Sequence, residues 1–189
     1  MTATAAPAPL TRRMVRSLQP VNPLTRPMRV VVAALLLLVV GAAVYWNSTY
    51  RAFEATLAAL TLSPFADGTG SSGTTFFLQR PDGMIGLVIT AECTALILIA
   101  PLIVLAAVIL VITRASWGRV FAGTAAMWII VTIVNEIRLA FIGFASDTWG
   151  TDIGYPLSHT YIGSVIGILG FVAGLAALVI IAGTARRRS

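Results

Sequence analysis

Three side chains give this 189-residue chain the means to do chemistry: Cys93 in "AECTAL", Arg138 in "NEIRLAF" and His159 in "SHTYIG". Cys93 is its one cysteine and His159 its one histidine. An ionised thiol is a nucleophile, and an imidazole within reach can take the thiol proton and return it to a leaving amine. A guanidinium can hold a substrate carbonyl or the oxyanion that develops from it. Together they are the equipment of acyl transfer through cysteine. Taken singly, each has a plainer reading: a small buried hydrophobe for Cys93, a snorkelling cation for Arg138, an ordinary loop residue for His159. The elements that carry them decide between these readings.

Apolar residues make up 58% of the chain and charged residues only 11%, in runs too long for a soluble core, which reads as an integral membrane protein. A bilayer core about 30 Å thick takes about 20 helical residues. Four runs fit: Val30 to Trp46, Cys93 to Thr113, Val120 to about Ala145, and about Thr160 to Gly183. The expected fold is an all-α integral membrane protein of four transmembrane helices, a single catalytic domain over 30–183, with a cytoplasmic tail at 1–29 and a basic cytoplasmic tail at 184–189. Gly41 and Ala43 satisfy a loose signal-cleavage rule, but the long n-region and the interfacial pair Tyr45 and Trp46 favour a retained anchor.

All 13 basic residues are Arg. Arg12, Arg13, Arg16, Arg26 and Arg29 precede the first run, Arg114 and Arg119 flank the turn after the second, and Arg186, Arg187 and Arg188 follow the fourth. Alternating helices put all of these on one side, which the positive-inside rule makes cytoplasmic. The +6 net charge therefore reads as topology, and nucleic acid is not expected as a partner. The acidic residues Glu54, Asp67, Asp82, Glu92, Glu136, Asp147 and Asp152 fall in the opposite segments or toward that end of the third helix. A lone cysteine makes no internal disulfide and has no partner thiol for a structural zinc site, and neither cofactor nor metal is expected.

The larger outer segment is 47–92. In "YRAFEATLAALTL", Phe53, Leu57 and Leu60 recur at helical spacing, which suits a short amphipathic helix at the interface. A link, "DGTGSSGTT", follows, and then "FFLQ" and "MIGLVIT" surround the turn sequence "RPDG", which predicts a small hairpin leading to Cys93; the alternative is that these runs extend the second helix upward.

This topology brings the three residues to one level. Arg138 lies about 27 Å along the third helix from Val120, at about 1.5 Å per residue, near the outer edge of the hydrocarbon. Cys93 begins the second helix at that edge, and His159 precedes the outer end of the fourth. Thr132, Asn135 and Arg138 form a polar stripe that lipid would penalise, so it should face inward. His159, Gly163, Gly167, Gly170 and Gly174 form a second stripe, on which a neighbouring helix can approach closely. If Thr90 caps the second helix, Cys93 falls in its first turn, where the helix dipole and a nearby guanidinium favour the thiolate; Glu92 opposes this unless it pairs with Arg138 or turns to water.

In these motifs, their order and their spacing, residues 73–183 resemble the exosortase/archaeosortase family of membrane cysteine transpeptidases. The family commonly reads Cys-Ser-Gly where this chain has Cys93-Thr94-Ala95, and many members carry more transmembrane helices, so this chain looks like a short member reduced to the catalytic core. The resemblance implies Cys93 as nucleophile, Arg138 as partner arginine and His159 as acid/base; Glu92, Thr94 and Asn135 are candidate supporting residues read from their places beside these three. It implies a protease/transpeptidase in the cytoplasmic membrane of a prokaryote, with its active site facing outside. Its substrate would be a membrane-tethered protein cut at a C-terminal transmembrane sorting signal and passed to an acceptor. Simple hydrolysis by the same residues is a variant of this reading. The competing class is a non-enzymatic membrane protein, such as a transporter subunit or assembly factor, in which the polar stripe lines a pathway or a helix contact.

Overall fold

The apolar runs become helices because a helix satisfies its own backbone hydrogen bonds, which lipid cannot do. A computed structural model describes residues 26–80 and 83–183. Arg12, Arg13, Arg16, Pro81, Asp82 and Arg186 to Arg188 lie outside the described residues, as do most of the expected N-terminal tail and the expected C-terminal tail. Among the described residues there are five helices: α1 Arg26–Tyr45, α2 Asn47–Leu62, α3 Ala95–Ile112, α4 Trp117–Trp149 and α5 Gly163–Gly183. A single helical turn, Gly154–Pro156, and a π-helical stretch, Leu157–Ile162, lead into α5. Four helical segments, α1, α3, α4 and Gly154–Gly183, are long and apolar enough to cross a membrane, which makes this a multi-pass membrane protein.

The limits differ from the expected ones where polar residues find partners. Helix α1 already includes Arg26 and Arg29, ahead of the expected start at Val30, and Arg29 is buried and not a free tail residue. Its guanidinium donates to the carbonyls of Leu110 (3.0 Å), Thr113 (2.8 Å) and Ala115 (3.0 Å) at the end of α3, and lies 5.5 Å from the Trp117 ring. The last carbonyls of a helix have no intrahelical partner and carry its negative pole, so a buried cation there satisfies both needs. Helix α4 runs 33 residues, on the order of 50 Å at about 1.5 Å per residue, well past the expected end at Ala145.

The hairpin forms, and the upward extension of the second transmembrane helix does not. Strands β2 (Thr75–Arg80) and β3 (Gly83–Val88) pair antiparallel, Thr75 opposite Val88 and Arg80 opposite Gly83. The Gly/Ser link supplies an unexpected third strand, β1 (Gly70–Ser72), paired to β2. Phe76 and Leu78 of β2 point inward onto Leu62 of α2 and the upper part of α4. A Cβ on Gly143 would stand 2.7 Å from the Leu62 Cδ1, so the close seat of the sheet on α4 depends on that glycine.

Two apolar clusters result. One fills the space among α1, α3, α4 and α5 around Ile99, Leu102, Ala106, Met127, Val131 and Leu178. The other lies at the sheet end among α2, β2, β3 and α4, and Cys93 belongs to it.

Candidate active site

Cys93 occupies the turn between β3 and α3. The expected cap, Thr90, is not the helix cap: Thr94 is, its Oγ1 accepting the Leu96 N–H at 3.3 Å. Thr90 instead closes the turn before it. Its carbonyl accepts the Cys93 N–H (3.1 Å), and its hydroxyl donates to Cys93 Sγ (3.4 Å). Cys93 therefore stands one residue before the cap and not within the first turn of α3, because a threonine directly after it offers a shorter path to the free amides.

His159 Nε2 lies 2.9 Å from Cys93 Sγ. The ring stacks on Tyr155, with centroids 5.1 Å apart and planes at 15°. Both aromatic residues come from the chain that enters α5, and the π-helical register there places the Gly163 N–H on the Ser158 carbonyl. Such wide turns inside helices recur at functional sites. Tyr155 had no signal in the sequence: its spacing from His159 becomes a stacking distance only once the stretch is helical.

Arg138 is 8% exposed and makes no hydrogen bond among the described residues. It lies against Gly163, where an added Cβ would be 3.1 Å from its Nε. It also lines a cavity of about 400 Å³ between α3 and α5, together with Glu92, Leu98, Gly167, Ile168 and Phe171. Glu92 is fully exposed at the rim of this cavity and does not pair with Arg138; the nearby Thr90 side chain, and then its own backbone N–H, favour its charged form and hold its carboxyl below the usual range. So the thiol and the imidazole touch, and the guanidinium occupies the adjoining cavity.

The polar stripe of α4 does face inward, and what it meets is α2. Tyr50 Oη lies 3.4 Å from Thr132 Oγ1, and Asn135 Nδ2 donates to Glu54 Oε1 at 3.0 Å. Glu54 was read only as one acidic residue of an outer segment. It is fully buried, and the same Oε1 accepts the Ala95 N–H at 2.7 Å, at the start of α3. Burial holds its carboxyl above the usual range. Glu136, placed by the sequence toward the outer end of the third helix, is also buried, and neither of its oxygens has a partner among the described residues. The Phe53 and Leu60 side chains of the expected apolar stripe are exposed, while Ala55, Ala58, Ala59 and Leu62 are the residues α2 buries. A small-residue face lets α2 approach the protein closely enough for Glu54 to reach inside.

The glycine stripe of α5 is divided. An added Cβ would be 2.8 Å from Val134 at Gly170 and 2.6 Å from Val131 at Gly174, so α4 already occupies these positions. Nothing lies within 4 Å of the corresponding point at Gly167, which faces the cavity.

Compared with known proteins, the chain matches no family model, no curated protein and no solved structure.

Proposed function

We propose that the protein is a membrane-embedded cysteine transpeptidase or peptidase of the exosortase type, acting at the outer face of a prokaryotic cytoplasmic membrane. The observation that carries this reading is the 2.9 Å contact between the only thiol and the only imidazole, made by residues 66 positions apart. In an apolar bundle, a cysteine serving as a plain hydrophobe needs no such partner.

The contacts support the following roles. His159 Nε2 takes the Cys93 proton as Sγ attacks the carbonyl carbon of the scissile bond, and Arg138 holds the resulting oxyanion from the cavity side. The C–N bond breaks, His159 returns the proton to the departing amine, and the thioester is resolved by a nucleophilic acceptor or by water. The substrate is a protein held by its own C-terminal membrane helix. The cavity between α3 and α5, walled by Leu98, Ile168 and Phe171 with Gly167 open to it, is where the residues flanking the scissile bond would lie. The transporter reading requires a polar route through the bundle; the apolar cluster around Ile99, Leu102, Met127 and Val131 argues against one.

The test is co-expression with candidate tailed proteins encoded in the same genome, followed by mass spectrometry of their new C-termini. An added moiety indicates transfer and a bare carboxylate hydrolysis. Tails left intact in every candidate would return the weight to a non-enzymatic role.

A further inference from the structure

Cys93 is held on both sides by one face of α2. Four residues before it, the Ile89 carbonyl accepts from Arg51 Nη1 at 3.0 Å. Two residues after it, the Ala95 N–H donates to Glu54 Oε1 at 2.7 Å. Arg51 and Glu54 are three residues apart and so project from the same side of the helix. Glu54 is also joined to α4 by the Asn135 amide at 3.0 Å, three residues before Arg138. One buried carboxylate oxygen thus joins the helix that follows the nucleophile, the helix that carries the arginine, and α2.

We propose that Glu54 is a positioning residue for the nucleophile: by accepting from Ala95 and Asn135 at once, it fixes the Cys93 turn at the depth and angle that bring Sγ to His159. This deepens the transpeptidase reading and rests on it for its purpose, but the geometry can be tested without any substrate. Three physical points support it. A fully buried carboxyl is costly unless its hydrogen bonds are needed, and α2 could bury a leucine at this position more cheaply. The Ala95 N–H is one of the helix-start amides without an intrahelical partner, so its acceptor governs where α3 begins. Finally, the Cys93–His159 contact joins a β-turn to a π-helical stretch, and neither element has the long hydrogen-bonded ladder that would fix it alone.

The role belongs to the accepting oxygen, so glutamine should replace glutamate and alanine should not. Because the chain has a single cysteine, thiolate formation can be followed by far-ultraviolet absorbance in detergent, as the difference between each protein and its Cys93→Ala counterpart. Glu54→Gln should titrate at or below the wild-type midpoint. Glu54→Ala should titrate upward by about one pH unit, a tenfold loss of thiolate at a given pH. Asn135→Ala keeps the carboxyl but cuts its tie to α4, and should shift the midpoint in the same direction; it decides the matter if Glu54→Ala does not fold. Midpoints for Glu54→Ala or Asn135→Ala that overlay the wild type would overturn the proposal, as would a Glu54→Gln midpoint raised as far as that of alanine. If the midpoints move as expected while no tailed protein is processed by the wild type, the positioning stands and the transpeptidase reading fails.

Discussion

At the residue scale, the proposed roles give Cys93 and His159 one task between them and Arg138 another, so their replacements should fail in different ways. Cys93→Ala should leave no processing, since nothing else can form the thioester. His159→Ala should lower the processing rate by about 10²–10⁴-fold, the usual worth of a general base, and added imidazole should restore part of it. Arg138→Lys should lose about 10²–10³-fold, because a point ammonium does not present the planar fork that an oxyanion between two donors requires. Single-turnover assays on a processed tailed protein would check all three, and a Cys93→Ala protein that still processes would end the enzyme reading. These three residues stood out in the sequence only together, because the topology brings one thiol, one guanidinium and one imidazole to the same membrane level. Glu54 did not: it lies in a stretch whose Phe53, Leu57 and Leu60 periodicity points to an interface helix, and the small residues on its own face give no hydropathy signal.

At the scale of the element, α2 and the entry to α5 are the two parts whose roles changed. The spacing correctly made α2 a helix but showed the wrong face as the informative one. The exposed stripe carried the periodicity, while the alanines that permit close approach look neutral in any pattern. Glu54 gives this element a pH signature. Its folded-state value is raised by burial, so its contribution to stability is fully present below the unfolded value near 4.3 and is lost as pH rises toward the folded value. Glu54→Gln should therefore flatten the pH dependence of thermal unfolding in detergent above that point, and a curve as steep as the wild type's would show that another group sets the slope. On the other side of the site, Gly163 separates the Ser158 carbonyl from Arg138, and an added Cβ would be 2.7 Å from the first and 3.1 Å from the second. The nearer of the two, the Ser158 carbonyl, is backbone and cannot yield cheaply. Gly163→Ala should cut processing by at least about tenfold, which by the usual conversion is a cost of about 1.4 kcal/mol in the transition state. If the folded Gly163→Ala protein processes at the wild-type rate, the π-helical entry does not set the site's geometry. A sequence alone does not show such wide turns, because they arise from packing against α4 and not from any local pattern.

At the scale of the whole molecule, the four spans and the sheet end were readable from hydropathy and from the placement of Arg, while the lengths of the spans were not. Helix α4 exceeds a bilayer because its upper part stays in contact with protein: Gly143 packs under Leu62, Phe76 and Leu78, and Ala145 and Ser146 pack against Gly154. The orientation can be checked directly. In a Cys93→Ala background, a cysteine at exposed Ser72 beside the sheet should react with a membrane-impermeant thiol reagent on intact cells, and one at exposed Gly118 near the Arg-flanked turn should not. The reverse pattern would put the thiol–imidazole pair in the cytoplasm. The same architecture bears on the proposed substrate. Cys93 and His159 meet at the sheet end of the bundle, and a cavity lined by Glu92, Arg138 and Gly167 opens between α3 and α5, so in the transpeptidase reading the chain beyond the scissile bond would descend into the membrane there. A helix descending along α5 past Gly163 would meet Gly167, where no described residue lies within 4 Å of an added Cβ, while Gly170 and Gly174 below are already covered by α4. Gly167→Leu should therefore block processing of a tailed substrate by filling the one open position, while leaving the thiolate titration of Cys93 unchanged, since the Cys93–His159 contact does not involve that glycine. Processing that survives Gly167→Leu would mean that the tail is held elsewhere, and a disturbed titration would mean that the cavity supports the catalytic pair and does not receive the tail.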